Sequence, residues 1–199
     1  MKNYHKAEFI KLCLFHYFKF RRHNKFISEN FIGDNNIFTI SNKGVQTQIK
    51  VIASKKELQE EFIKKNKMDT YEEKYRLSRA EFYYFCVPED MVKDALIMIE
   101  GNEKLRGTGL ISINMRFSRP KVINRFFNRV KFELVGWRNH KAKRYSEGEI
   151  LHAASKEIFL MQKKVVEHIT GMKFSEDGEK QYSKYRKKIL KNNRQKSVK

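Results

Sequence analysis

The sequence predicts an α/β fold with a mixed central sheet flanked by helices, followed by a C-terminal helix and a basic tail. Three observations predict it. Two β-rich runs, residues 26–31 and 37–41, are separated by Gly33-Asp34-Asn35-Asn36, turn-forming residues in a hairpin pattern. Residues 45–52 alternate Val45, Thr47, Ile49 and Val51 with Gln46, Gln48 and Lys50, the period of a half-buried strand. Further strand-like and helix-like runs then take turns, giving the order αβββαβαβ.

Residues 5–20 open the chain with Phe9, Ile10, Leu12, Cys13, Leu14, Phe15, Tyr17, Phe18 and Phe20, a density that suits a helix packed on two sides. Arg21, Arg22, His23 and Asn24 end it. After the hairpin, a turn at Asn42-Lys43-Gly44 leads into the alternating strand, whose period places Gln48 and Lys50 on one face. Ser54-Lys55-Lys56-Glu57 is a capping-box pattern, and a helix through Leu58, Phe62 and Ile63 follows. Residues 64–79 are polar and lysine-rich, which reads as a mobile loop. The continuous apolar run 82–87 suits a strand buried on both faces. Pro88 ends it, Glu89 and Asp90 open a helix to Ile99, Gly101 stops that helix, and residues 109–114 give another strand.

Charge limits the function. Among 199 residues, 43 Lys and Arg face 23 Asp and Glu, a formal charge of +20. A chain this basic is expected to meet a polyanion, nucleic acid before a membrane surface. The 40% apolar content excludes wholesale disorder, and no 18-residue apolar run offers a membrane span. The N-terminus, MKNYHKAEF, has neither the apolar core nor the cleavage site of a signal peptide. Cys13 and Cys86 sit among apolar residues and read as reduced core thiols, with a disulfide as the alternative. The expected compartment is therefore a reducing, cytosol-like one. The six histidines show no metal-ligand spacing, and no phosphate loop or nucleophile motif occurs.

Between residues 115 and 145, Arg116, Arg119, Lys121, Arg125, Arg129, Lys131, Arg138, Lys141, Lys143 and Arg144 are interleaved with Phe117, Phe126, Phe127, Phe132 and Trp137. This is either a basic arm with stacking residues or an extension whose aromatics complete the core. Ser146-Glu147-Gly148-Glu149 forms a second capping box for a helix to Thr170. Its three-four stripe of Leu151, Ala154, Ile158, Met161 and Val165 either packs on the core or drives self-association or protein assembly. Residues 180–199 carry nine basic residues and no acidic one. The side chains expected to meet phosphates are Lys55, Lys56, Arg116, Arg119, Lys121, Arg125, Lys187 and Lys188.

The stretch NNIFTISNKGVQTQIKVIASKKELQEEF, with FYYFCVPEDM and GLISIN after it, resembles the MmcB-like and phage-encoded branch of the PD-(D/E)xK nuclease superfamily. The likeness covers roughly residues 5 to 120. It implies a restriction-endonuclease-like sheet, and it divides the chain into a nuclease-like domain (1–120), a basic extension with the C-terminal helix (121–172) and a basic tail (173–199). In that superfamily an Asp and a Glu on adjacent strands hold Mg²⁺ at the scissile phosphate, and a Lys two residues after the Glu orients the attacking water. The resemblance puts Lys50 in the lysine's place and Glu8 in that of a helix glutamate that completes the metal's water shell. Here the sequence departs from the pattern. Gln48 stands at the Glu position, Gln46 is an amide where relatives often carry Glu, and Asn36 stands at the Asp position. Asp34 offers a metal ligand only if the turn shifts. An amide keeps the carboxylate's shape without the charge that binds a hard cation. The expectation is therefore a nucleic-acid-binding protein, DNA foremost, that has lost cleavage and needs no cofactor. An active Mg²⁺-dependent DNA nuclease of repair or recombination, using Asp34, Gln48 and Lys50, is the enzyme alternative. A basic phage structural or assembly protein is the third, and the resemblance, with the Lys/Asn-rich composition, implies the cytoplasm of a bacterial or phage-infected cell, with virion association as a variant.

Overall fold

The computed structural model describes residues 3–29, 36–66, 79–115, 129–140, 142 and 144–170. The chain divides into two compact units, Met1–Ala153 and Ala154–Lys199. The first carries a six-stranded mixed sheet whose strands lie side by side in chain order. They are β1 (Phe26–Ser28), β2 (Asn36–Ile40), β3 (Gln46–Val51), β4 (Phe82–Pro88), β5 (Gly109–Ile113) and β6 (Val130–Leu134). The first three form an antiparallel meander, β3, β4 and β5 run parallel, and β6 returns antiparallel. Parallel neighbours need a crossover. Helix α2 (Lys55–Asn66) lies in the first crossover and α3 (Val92–Glu100) in the second. The α/β class read from the sequence holds, in an arrangement consistent with a restriction-endonuclease-like sheet.

Helix α1 (Asn3–His16) covers one face of the sheet. Ala7, Ile10, Cys13 and Leu14 recur at helical spacing and pack against Ile37, Ile49, Val51, Cys86 and Ile111. Each fully buried Ile, Leu or Val side chain among them contributes about 1.5–3 kcal/mol. Leu12 and Phe20 are exposed, so the expectation of a helix packed on two sides is corrected to one buried stripe. Burial pushes the Cys13 thiol up to about 12 against the opposing charge of Arg129, and burial also holds the Cys86 thiol well above its ordinary value; both are free thiols. The opposite face carries a second core of Ile52, Leu58, Phe85, Val87, Ala95 and Leu110 beneath α2 and α3.

Local signals act as the sequence implies. Ser54 Oγ accepts the Glu57 N–H at 3.3 Å, and Glu57 reaches back to the Ala53 N–H at 2.7 Å. The Gly101 N–H closes α3 onto the Ile97 carbonyl. The helix expected from Glu89 begins as a short 3₁₀ turn, Glu89–Met91. Two differences matter more. Residues 130–134, inside the stretch expected to extend beyond the sheet, form its sixth strand, and Phe132 packs between Tyr17 and Tyr84. Helix α4 (Glu147–Thr170) begins at its capping box, but Leu151, Ile158, Met161 and Val165 are exposed rather than packed as core. The turn at 33–35, the loop 67–78, and the tail 171–199 lie outside the described residues.

Candidate functional site

Strand register brings the three central candidates together. Asn36 stands opposite Lys50 and Phe38 opposite Gln48 across β2 and β3, so Asn36, Gln48 and Lys50 share the face away from α1. Gln48 is 3% exposed and Asn36 is buried, while Lys50 is half-buried. The Gln48 Nε2 donates to Asn36 Oδ1 at 3.4 Å, a long hydrogen bond. Gln48 Oε1 finds no partner among the described residues. On β4, Tyr83 lies beside Gln48 and Phe85 beside Lys50. Burial, with the charge of Glu61 on α2, holds the Tyr83 phenol well above its ordinary value.

The other candidates fall elsewhere. Glu8 pairs with Lys11 at 2.8 Å, on a helix that packs against the Ile49 and Val51 face of β3. Lys55 pairs with Asp94 at 2.7 Å, joining α2 to α3, and Lys56 stands 3.8 Å from Glu60. Asp34, Arg116, Arg119, Lys121, Arg125, Lys187 and Lys188 lie outside the described residues.

The donor set does not suit Mg²⁺. A hard cation wants anionic oxygens. Here the side-chain oxygens of Asn36 and Gln48 are neutral, that of Asn36 already accepts from the Gln48 amide, and Lys50 adds a positive charge. Among the described residues no group of three or more His, Cys, Asp and Glu stands where it could hold a metal ion. Binding a phosphate oxygen through Lys50 and an amide N–H is the chemistry these groups can offer.

Beside this trio lies a network that sequence reasoning missed. Glu81, 2% exposed, precedes β4, and its carboxylate accepts four hydrogen bonds. Its Oε2 takes the Gln46 N–H at 3.0 Å; its Oε1 takes Arg138 Nε at 3.0 Å, Arg138 Nη2 at 2.6 Å and Arg144 Nη2 at 2.7 Å. Burial alone would raise this carboxyl, but the Arg138 hydrogen bond, the Gln46 N–H and the two guanidinium charges together hold it below its ordinary value. The Gln46 side chain explains itself here. Its Nε2 donates to the Tyr145 carbonyl and its Oε1 accepts the Tyr145 N–H, both at 2.9 Å. Tyr145 sets its ring edge against buried Phe38 at 5.3 Å. Arg79 lies over the other aromatic surface at 4.3 Å while gripping Glu149 with both nitrogens. Two arginines of the basic stretch are thus pinned to the sheet, beside the strand that bears Gln48.

A cleft of about 340 Å³ lies apart from these residues, lined by Ile99, Glu100, Glu103, Arg106, Leu134 and Trp137 among others. Arg106 covers the Trp137 ring at 5.2 Å. Two carboxylates beside one guanidinium make this cleft a poor receiver of phosphate. Among the described residues no helix is long and apolar enough to cross a membrane. Comparisons with family models, curated proteins and solved structures give no match.

The Gln46 geometry makes a prediction. Gln46→Glu loses the donor that satisfies Tyr145 and sets a second carboxylate near Glu81. It should destabilise by about 2 kcal/mol, read as a fall of about 4–8 °C in melting temperature. An unchanged melting temperature would show that the paired Gln46–Tyr145 hydrogen bonds do not hold this segment.

Proposed function

We propose that this chain binds nucleic acid, DNA foremost, through a nuclease-like domain that does not cleave by a divalent-metal mechanism. One observation carries the reading: Lys50 stands beside two amides, Asn36 and Gln48, in a chain of charge +20. Positive charge without paired carboxylates favours holding a phosphodiester over placing a metal on it. The Glu81 network supports it by fixing Arg138 and Arg144 at a sheet end, each still about half exposed. No metal, and so no cofactor, is needed for binding of this kind.

The test is a cleavage assay on plasmid and branched DNA with Mg²⁺ and with Mn²⁺, run beside a binding assay. Binding without cleavage is expected. Cleavage lost in Lys50→Ala or Gln48→Ala would instead establish the active nuclease, with Asp34 as a metal ligand. A second reading, a structural or assembly role, is favoured by the exposed stripe Leu151, Ile158, Met161 and Val165 on α4. Concentration-dependent association abolished by Met161→Glu, with no affinity for DNA, would select it.

A further inference from the structure

We infer that the turn formed by residues 19–25 is a docking site for a single-stranded phosphodiester chain, an inference that rests on the nucleic-acid reading and gives it a location. Lys19, Arg21, Arg22, His23 and Lys25 are five cationic or protonatable side chains within seven residues, and all five are exposed. None of them forms an ion pair with a carboxylate among the described residues. Basic residues at a helix C-terminus are favoured by the helix dipole, but that effect fades within the last turn. It does not account for Lys25, which lies beyond the helix, nor for an exposed aromatic ring in the same turn.

The turn is fixed in shape. Residues 17–21 widen into a π-turn, the Arg22 N–H bonds to the Tyr17 carbonyl at 3.0 Å, and the Asn24 N–H bonds to the Phe18 carbonyl at 2.9 Å. His23 takes the left-handed conformation, φ 54°, that reverses the chain. Buried Asn24 donates through Nδ2 to Thr39 Oγ1 at 2.7 Å, and the Lys25 N–H bonds to the Ile40 carbonyl at 2.9 Å. Arg21 and Arg22 both lie over the ring of buried Tyr17, at 5.7 and 5.8 Å. The backbone that bears the cations and the two guanidinium groups are therefore placed before any ligand arrives, which reduces the ordering cost of binding.

Phe20 decides the kind of strand. It is 52% exposed, lies 5.3 Å from His16 between ring centroids, and is flanked in sequence by Lys19 and Arg21. A half-exposed phenyl ring in a basic turn offers an unpaired base a stacking surface, which a base inside a duplex cannot reach. Ile40 pairs with Gln46, whose N–H reaches Glu81, so the turn occupies the same end of the sheet as Arg138 and Arg144.

The experiment measures affinity of the full chain for an oligothymidylate of about 20 nucleotides and for a duplex of similar length, across a salt series. The triple variant Arg21→Ala, Arg22→Ala, Lys25→Ala should flatten the salt slope on the single strand by about 2. Phe20→Ala should weaken single-strand binding about tenfold and leave duplex affinity within about twofold. Arg21→Lys with Arg22→Lys, which keeps the charge, should retain most of the slope and controls for folding. If wild type binds and the triple variant keeps its slope, or Phe20→Ala weakens both ligands alike, the inference is overturned while the nucleic-acid reading stands. If wild type binds neither ligand at low salt, the nucleic-acid reading itself has failed.

Discussion

Replacing Glu81 with Ala is expected to destabilise the protein by about 3 kcal/mol, lowering its melting temperature by about 6–12 °C. Glu81 is the buried acceptor on which Arg138, Arg144 and the Gln46 N–H converge. Removing one partner of a buried ion pair commonly costs about 3–5 kcal/mol. The low end applies because the two arginines are 42% and 52% exposed and would rehydrate. Glu81→Gln should lose about half as much, since an amide oxygen still accepts the Gln46 N–H. Hydrogen exchange should rise in residues 137–149 before it rises in β3 and β4. A fall of less than about 2 °C would show that the network does not hold this segment.

The same residue sets a dependence on acid. The folded Glu81 carboxyl lies below the ordinary glutamate value of 4.5, although burial by itself would raise it. Glu149 is lowered to about 2, first by its Arg79 hydrogen bond and then by Ser146. A depressed folded value means that stabilisation is fully present above the ordinary value and is lost as pH falls through the folded one. Melting temperature should therefore hold steady with respect to these groups above pH 4.5 and decline below it. Glu81→Gln should show a smaller decline. A variant with the wild-type acid profile would assign the effect to other groups.

The second large effect is expected from restoring charge at the amide pair. In Gln48→Glu with Asn36→Asp, two carboxylates would occupy a buried site where the amides now lie 3.4 Å apart. Without metal, repulsion and burial should keep one of them protonated and destabilise the fold by about 2–4 kcal/mol, with Lys50 offsetting part of it. With Mn²⁺ at about a hundred times its dissociation constant, binding should return about 2.7 kcal/mol. Neither single substitution should suffice, because one carboxylate leaves the cation under-compensated. Melting with and without Mn²⁺ reads the outcome. A double variant that ignores Mn²⁺ would show that Asn36 and Gln48 do not have the geometry of a metal pair.

The candidate trio was legible because strand chemistry has a strict period. Alternation in 45–52 put Gln48 and Lys50 on one face, the turn at Asn42-Lys43-Gly44 joined that strand to the run 37–41, and the family resemblance singled out Asn36, which the structure makes the first residue of β2 rather than part of a turn. β6 was overlooked although Val130, Phe132 and Leu134 alternate with Lys131 and Glu133, because five residues inside a long basic stretch read as part of that stretch; in the structure Val130 and Phe132 pack on one core and Leu134 on the other. Glu81 was hidden for another reason. Its arginine partners lie 57 and 63 residues away, a separation that no local pattern spans. Gln46 looked like a lost glutamate and is a side chain whose donor and acceptor are both in use. The basic turn at 19–25 looked like a helix terminator, since its exposure and its fixed shape depend on Asn24 reaching Thr39.

Retention of nucleic acid by charge, without a metal ion, is tested by the affinity for a labelled DNA oligonucleotide in EDTA, measured across a salt series and repeated with Mg²⁺. The expected result is binding in EDTA that weakens steeply with salt, by about 0.7–0.9 in log–log slope per phosphate contact, and no tightening by Mg²⁺. Binding that appears only with Mg²⁺, or no binding at low salt, would contradict it.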